Sequence, residues 1–436
     1  MAQTLKFGNG TWATKKGSTL AYNDENDRFK PLPFTTTRAS GATRVNKEGL
    51  IEVVEGDRPR IDYTDSADGV LLLEPSRTNL FTYSEDFSNV YWNKTSVTVT
   101  SNEAISPDGT LNASKLIEGT SNSRQEVWKN IVTSSSTNVI SCFIKKGTRR
   151  FASITTSDTT NWNTMVVVDL ELGIVTKTYN LSGFSSVNKI ENYGNGWYRL
   201  TSSITGVVIG DVLYARINIQ NSGTPSNPPS NSYTGDGTSY IYIYGAQIEE
   251  GSYPTSYIPT NGAAVTRAAE TATGSGDAST FNDSEGVLMA EISALADDLT
   301  NRTIGVLGDS NNFIELAYRN TSNQVRCLIK SSGVVEVNIQ HILSDITLNN
   351  KLAVKYKSNN TSLYVNGFEV ATGLSANMPS GLNKLNFNRF DGAEDFYGNT
   401  KELAYYNTAL TDLELETLTS YRSLNELVTE LNLKAL

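Results

Sequence analysis

Histidine and cysteine are almost absent from this 436-residue chain, which has one His, at position 341, and two Cys, at 142 and 327. A nucleophile paired with an imidazole and an orienting third group is not expected, because the only imidazole sits in the strand-like run VVEVNIQHIL. A zinc centre needs three or four His, Cys or carboxylate ligands, and neither C-x-x-C nor H-E-x-x-H occurs. The phosphate-cradling G-x-x-x-x-G-K-[ST] loop and a strand-linked G-x-G-x-x-G are missing too, which removes nucleotide chemistry. Two cysteines so far apart make no disulfide framework, and Cys142, inside VISCFIKK, alternates as a small buried strand residue. Basic residues are outnumbered 36 to 46 by acidic ones, for a net charge of −10. Neutralising phosphates takes clustered Lys and Arg, so no nucleic-acid partner is expected. The longest apolar runs, in GVLLLEP and MVVVDL, fall far short of the about 18–20 residues of a membrane span, so no membrane insertion is expected. The opening MAQTLKFGNGTWATKKG lacks the apolar stretch of a signal peptide.

In place of charge the chain carries Ser, Thr, Asn and Gly together with 5 Trp, 21 Tyr and 14 Phe. Strands and turns favour that mixture, and so many aromatics do not fit a disordered chain. At about 150 residues per domain the length predicts about three domains. Residues 1–77 are crowded with turn signals (NDENDRFKPLPF, NKEGL, EGDRPRIDY, DSADGV) and hold few apolar residues. Such a segment is expected to pack against a following domain, a copy of itself or a larger assembly. From Asn79 onward, alternating or β-branched runs such as Thr95–Thr100, Val139–Lys145, Met165–Asp169, Val212–Asn218 and Ser239–Ile248 are divided by PDG, KKG, ELG, GNG and GDG. This predicts a β-sandwich or jelly roll over 78–270. The small-residue stretch Ala263–Thr280 reads as a seam, and a second strand series fills 271–422. Within it Asn366-Gly367 is the dipeptide of a type I′ hairpin turn. Only the C-terminus reads as helix. Thr411 with Glu414, and Ser423 with Glu426, fit capping boxes, and Leu424, Leu427, Val428 and Leu431 line a short apolar stripe in a terminal helix over 423–436. The expected fold is all-β: tandem jelly-roll or concanavalin A-like sandwiches after an irregular N-terminal region, with short C-terminal helices.

Three stretches carry a resemblance. Arg38-Ala39-Ser40, Gly49-Leu50-Ile51, Pro59-Arg60-Ile61-Asp62-Tyr63, and Leu73-Glu74-Pro75 with Arg77-Thr78-Asn79-Leu80 stand in the order of a phrase that opens bacteriophage tail-fibre and other virion-associated proteins. FTYSEDFSNVYWNK, with NGWYRLTSSI and YIYIYGAQIEEGSYPTSYIPT, resembles the first and last strands of a carbohydrate-binding-module-like sandwich in such proteins. Tyr364–Gly367 and Phe396–Glu414 are similar to the hairpin and ending of a concanavalin A-like, laminin-G-like lectin domain. The resemblance implies a virion location, attachment to other virion proteins through residues 1–77, a homotrimer, and synthesis in the bacterial host cytoplasm without a signal peptide.

Trp92 and Trp197, inside the resembling phrases, read as core anchors. Trp128 (EVWKN) and Trp162 (TNWNT) lie in polar stretches, where an exposed indole can stack on the C–H face of a pyranose or, alternatively, half-bury in a sheet. Tyr240, Tyr242 and Tyr244 share one strand face by the period of two, as a ligand surface, a subunit seam or core packing. Asp391, Glu394 and Asp395, in FDGAEDFYG, gather hard oxygens that could hold Ca²⁺ in a loop, and no other cofactor is indicated. The E-x-D-x-x-E strand of concanavalin-type glycosidases is missing from 280–410, and Asp412, Glu414 and Glu416 lie in the first turns of a helix. The expectation is therefore a virion-associated adhesin that binds host surface polysaccharide without cleaving it. A structural head or tail protein, a depolymerase and a prophage or secreted adhesin are the alternatives.

Overall fold

A computed structural model describes residues 4–23, 30–375, 377–421 and 423–430. The chain forms two compact units, one of Met1–Gly41, Val54–Pro75 and Ala268–Leu436, the other of Ala42–Val53 and Ser76–Arg267. Both are β-sandwiches, and the described helices are the short Asp412–Thr419 and Leu424–Glu430, so the expected all-β class with C-terminal helices stands. Among the described residues no helix is long and apolar enough to cross a membrane.

The second unit stacks two six-stranded antiparallel sheets. One runs in the order Asn93–Thr95, Gln125–Val132, Val212–Gln220, Phe151–Ser157, Trp162–Asp169, Ile174–Asn180. The other runs Val97–Ile105, Leu111–Glu118, Tyr240–Glu250, Thr137–Lys146, Trp197–Thr205, Ser185–Asn192. Strand alternation builds the core between them. Leu213, Ala215, Ile217 and Ile219 turn inward to meet Val127, Ile154, Val166, Ile144 and Ile243, and the residues between them face outward. Trp92 and Trp197 are buried, as expected, their indole N–H groups donating to the carbonyls of Tyr83 and Ile105. Cys142 is buried as well.

The first unit packs a twelve-stranded sheet on a five-stranded one (Arg302–Asp309, Asn312–Tyr318, Gln324–Ser331, Val334–Ile342, Lys384–Asn386) through a core that includes Phe7, Phe34, Leu288, Ile314, Leu352 and Tyr405. Residues 1–77 do not form a region of their own. Leu5–Gly8 pairs with Gly398–Tyr406, Val70–Leu73 pairs with the same strand, and the hairpin around Ala42–Val53 belongs to the second unit. The segment has too few apolar residues for an independent core, and it buries those it has in cores supplied by later chain. The seam expected at 270/271 falls at Arg267/Ala268.

Residues of the N-terminal phrase from Arg38 to Leu80 are held by buried polar contacts. Arg38, Arg60 and Glu74 meet Glu270 in a buried cluster: Arg38 Nη1 reaches Glu270 at 2.5 Å, Arg60 Nε at 2.9 Å, and Arg60 also pairs with Glu74 at 2.8 Å. Arg38 further donates to the carbonyls of Ser40, Val54, Glu55 and Arg58, fixing the path of the chain around it. Further along the phrase, Asn79 is fully buried in the second unit and donates to the carbonyls of Ala246 and Ile258 while its Oδ1 accepts from Phe81 and Ile248. Asn366 and Gly367 both have positive φ, 48° and 93°, as the type I′ turn requires. Thr411 and Glu414 close their capping box. Leu424 is exposed, and Leu431 lies outside the described residues.

Candidate functional site

The face of the Gln125–Val132 sheet turned away from the core carries three rows in register. One is Asn130, Tyr214, Ser157 and Trp162, the next is Trp128, Arg216, Thr155 and Met165, and the third is Glu126, Asn218, Ser153 and Val167. Sequence alternation puts them there: every second residue of LYARINIQ is large and polar or aromatic and the residues between are core, while in EVWKN Glu126, Trp128 and Asn130 take one face and Val127 turns into the core. Both tryptophans expected as candidates therefore lie on one surface, half-buried, on either side of Arg216. Their roles differ. The Trp162 ring is met by the guanidiniums of Arg124 at 4.2 Å and Arg216 at 4.4 Å, so it holds two cations in place and is not a bare platform. Trp128 is anchored by its N–H to Thr95 Oγ1 at 3.1 Å and leans on Tyr214 at 5.7 Å, with Arg216 more distant at 5.8 Å.

Glu126 is the acid among these cations. Its Oε1 lies 3.3 Å from Arg124 Nε and 3.6 Å from Arg216 Nε. Burial raises its carboxyl above the usual range despite both arginines. Burial likewise pushes Arg216 down to about 10, against the pull of Glu126. Around this pair Glu126 Oε2, Arg216 Nε, Asn218 Oδ1, Gln220 Oε1 and Asn231 Oδ1 are buried and make no hydrogen bond within the protein. One side is walled by the segment 221–232. It is strapped down by Thr176 Oγ1 and Lys177 Nζ, which donate to the carbonyls of Gly223 and Pro225, and by Asn231 against Met165. The unit also has a cleft of 740 Å³ lined by Arg77, Val132, Ser134, Ile209 and Glu250. That cleft does not include the aromatic face, and its carboxylate already accepts from Ser134.

Other expected residues are placed elsewhere. Tyr240, Tyr242 and Tyr244 do share a face, but on the opposite sheet of the sandwich. Tyr240 and Tyr242 meet edge-on at 5.2 Å with Lys115 over Tyr240. Tyr244 is buried in a cluster with Val45, Ile51, Phe143 and Tyr257, its hydroxyl shared between Glu85 at 3.0 Å and Asp108 at 2.9 Å. It is thus a packing residue, because the Ala42–Val53 hairpin covers that face. Asp391, Glu394 and Asp395 do not converge. Asp391 pairs with Arg389 at 2.5 Å, Glu394 with Arg319 at 3.0 Å and Arg389 at 2.9 Å, and Asp395 accepts from Asn388 and Tyr397. Among the described residues no group of three or more His, Cys, Asp or Glu is arranged to hold a metal, so the Ca²⁺ reading of this loop gains nothing from the geometry. Arg124, Glu126, Tyr214, Arg216, Asn218 and Gln220 went unnoticed in the sequence. The signal was there, in the run of large polar residues at alternate positions of LYARINIQ.

No family model matches the chain, and no curated protein matches it. Among solved structures it is similar to a leech intramolecular trans-sialidase (14% identity, TM-score 0.28), with 33% of this chain aligned to 24% of that one. It is similar to domain 4 of a GH43 extracellular arabinanase from Geobacillus stearothermophilus, in complex with arabinotriose (16% identity, TM-score 0.30, 39% of this chain and 83% of that one). Domains LG4-5 of the mouse laminin alpha1 chain are similar over 80% of this chain and 92% of theirs (12% identity, TM-score 0.24). The chain thus spans about a quarter of the leech enzyme's length.

Proposed function

We propose that this protein is a bacteriophage virion-associated fibre or adhesin that binds host cell-surface glycans without cleaving them, through the Trp128–Arg216–Trp162 face. One observation carries the reading. Trp128, a half-exposed indole, stands on one sheet face with two guanidiniums, Arg124 and Arg216, that share a single carboxylate, Glu126. A saccharide offers polar groups to the partly exposed Arg124 and a C–H face to Trp128. The virion setting rests on the phrase from Arg38 to Leu80, and a homotrimer assembled with other virion proteins would multiply weak sites into avid attachment.

A second reading, a structural head or tail protein whose sandwiches contact other virion proteins, is favoured by one observation: the faces of Trp162 are already engaged by Arg124 and Arg216. The test is binding of the full chain to a panel of bacterial polysaccharides, with reducing ends assayed in the same wells. Binding that weakens about fivefold or more in Trp128→Ala, without new reducing ends, is expected, since stacking of a ring face on an indole is worth about 1 kcal/mol or more. New reducing ends overturn the non-cleaving claim, and no binding across the panel overturns the glycan reading in favour of the structural one.

A further inference from the structure

The face has an uneven charge balance. Two guanidiniums, Arg124 and Arg216, share a single carboxylate, Glu126, and no other acid forms an ion pair with either of them among the described residues. Arg216 is 8% exposed, yet it spends only Nη1 on hydrogen bonds, to Ser157 Oγ at 2.8 Å and the Tyr214 carbonyl at 3.4 Å. Its Nε makes none, and Glu126 stands off at 3.6 Å. A buried guanidinium left half-compensated is costly, and it is held there by rings and by strand register rather than by an acid of its own. A planar donor fork fixed in that way matches the two oxygens of a carboxylate.

We propose that the saccharide taken by this face is acidic, with a ring carboxylate of the uronic or sialic type meeting Arg216 and Arg124 and the ring lying on Trp128. The inference rests on the glycan-binding reading above and narrows it to a substrate class. In a chain of net charge −10 the general field repels such a polymer, so attraction has to come from this local pair of cations. A ligand lacking the carboxylate leaves Arg124 and Arg216 sharing Glu126 as before, and sites built on polar groups reject such analogues strongly.

The experiment measures binding of the full chain to oligogalacturonate, hyaluronan and polysialic acid, each beside its carboxyl-reduced counterpart, with dextran and arabinan as neutral probes. At least one acidic polymer is expected to bind, with reduction of its carboxyls weakening binding about tenfold or more. Arg216→Gln is expected to abolish that difference, and Arg124→Gln, a change at a partly exposed side chain, to lessen it with the fold unaltered by circular dichroism. If Arg216→Gln fails to fold, the carboxyl-reduced pairs and Arg124→Gln still decide. Binding to neutral probes, or equal binding before and after reduction, overturns the acidic-ligand inference and leaves the glycan reading standing. No binding to any acidic or neutral polymer overturns both.

Discussion

Glu270→Gln tests whether the N-terminal phrase is a structural device. Glu270 accepts from Arg38 Nη1 at 2.5 Å, from Arg60 Nε at 2.9 Å and Nη2, and from the Glu74 backbone N–H at 3.0 Å. The side chains of Arg38, Arg60 and Glu270 are all fully buried. Two arginines against Glu74 and Glu270 make the cluster neutral, so the amide leaves one positive charge buried without a counterion. Removing one partner of a buried ion pair costs about 3–5 kcal/mol, and two guanidiniums leaning on one acid place this case toward the upper end. With a urea slope of about 3 kcal/mol/M the midpoint falls by roughly 1–1.7 M. Hydrogen-exchange mass spectrometry through the urea transition assigns the loss: peptides from the unit containing Glu270 should lose protection early, including Leu5–Gly8 and Gly398–Tyr406. Tryptophan fluorescence reports mainly the other unit, which holds Trp92, Trp128, Trp162 and Trp197. A loss below about 1 kcal/mol, or a larger loss from Glu74→Gln, at the acid paired with Arg60, would refute the reasoning.

Two further predictions concern the same unit. Burial, outweighing the nearby Arg326, raises the Glu315 carboxyl from 4.5 to about 7. The unfolded chain releases this proton near pH 4.5 and the folded chain keeps it to about 7, so stability falls as pH rises across that window, by about 3 kcal/mol, and levels above it. Urea midpoints from pH 4.5 to 8 should show this slope in the wild type and a flatter one in Glu315→Gln; parallel curves would count against it. Gly367 has φ of 93° and a Cβ there would stand 2.6 Å from Ser420 Oγ, so Gly367→Ala should cost about 1–3 kcal/mol in thermal unfolding, and an unchanged midpoint would contradict the turn assignment.

What could be read from the residues followed the distance over which each pattern acts. Alternation in LYARINIQ, the Asn366-Gly367 turn and the Thr411 cap are local, and they gave strands, hairpin and helix start in the right places. Trp92 and Trp197 stood inside the resembling phrases and proved buried. Partners far along the chain left no local mark: nothing near Leu5 says that it pairs with Tyr405, and nothing near Arg38 points to Glu270. Half the candidate site shared that fate. Trp128 and Trp162 stood out as aromatics in polar stretches, but only the register of Gln125–Val132 against Val212–Gln220 puts Arg216 between them. Of the readings left open for Tyr244, core packing holds, because the hairpin that covers it comes some 200 residues earlier.

The order in which the ribosome delivers these strands has its own consequence. Ser76–Arg267 completes one sandwich, with only the preceding Ala42–Val53 hairpin needed from outside it, so that unit can close while the rest is still being made. The other unit cannot. Leu5–Gly8 and Val70–Leu73 wait for Gly398–Tyr406, and Arg38 and Arg60 wait for Glu270, each an apolar edge or an uncompensated charge held open through most of synthesis. A nascent chain arrested near residue 300 would therefore present one finished sandwich and one set of unpaired strand edges. Truncation from the C-terminal side should unfold the beginning of the protein before it disturbs the middle.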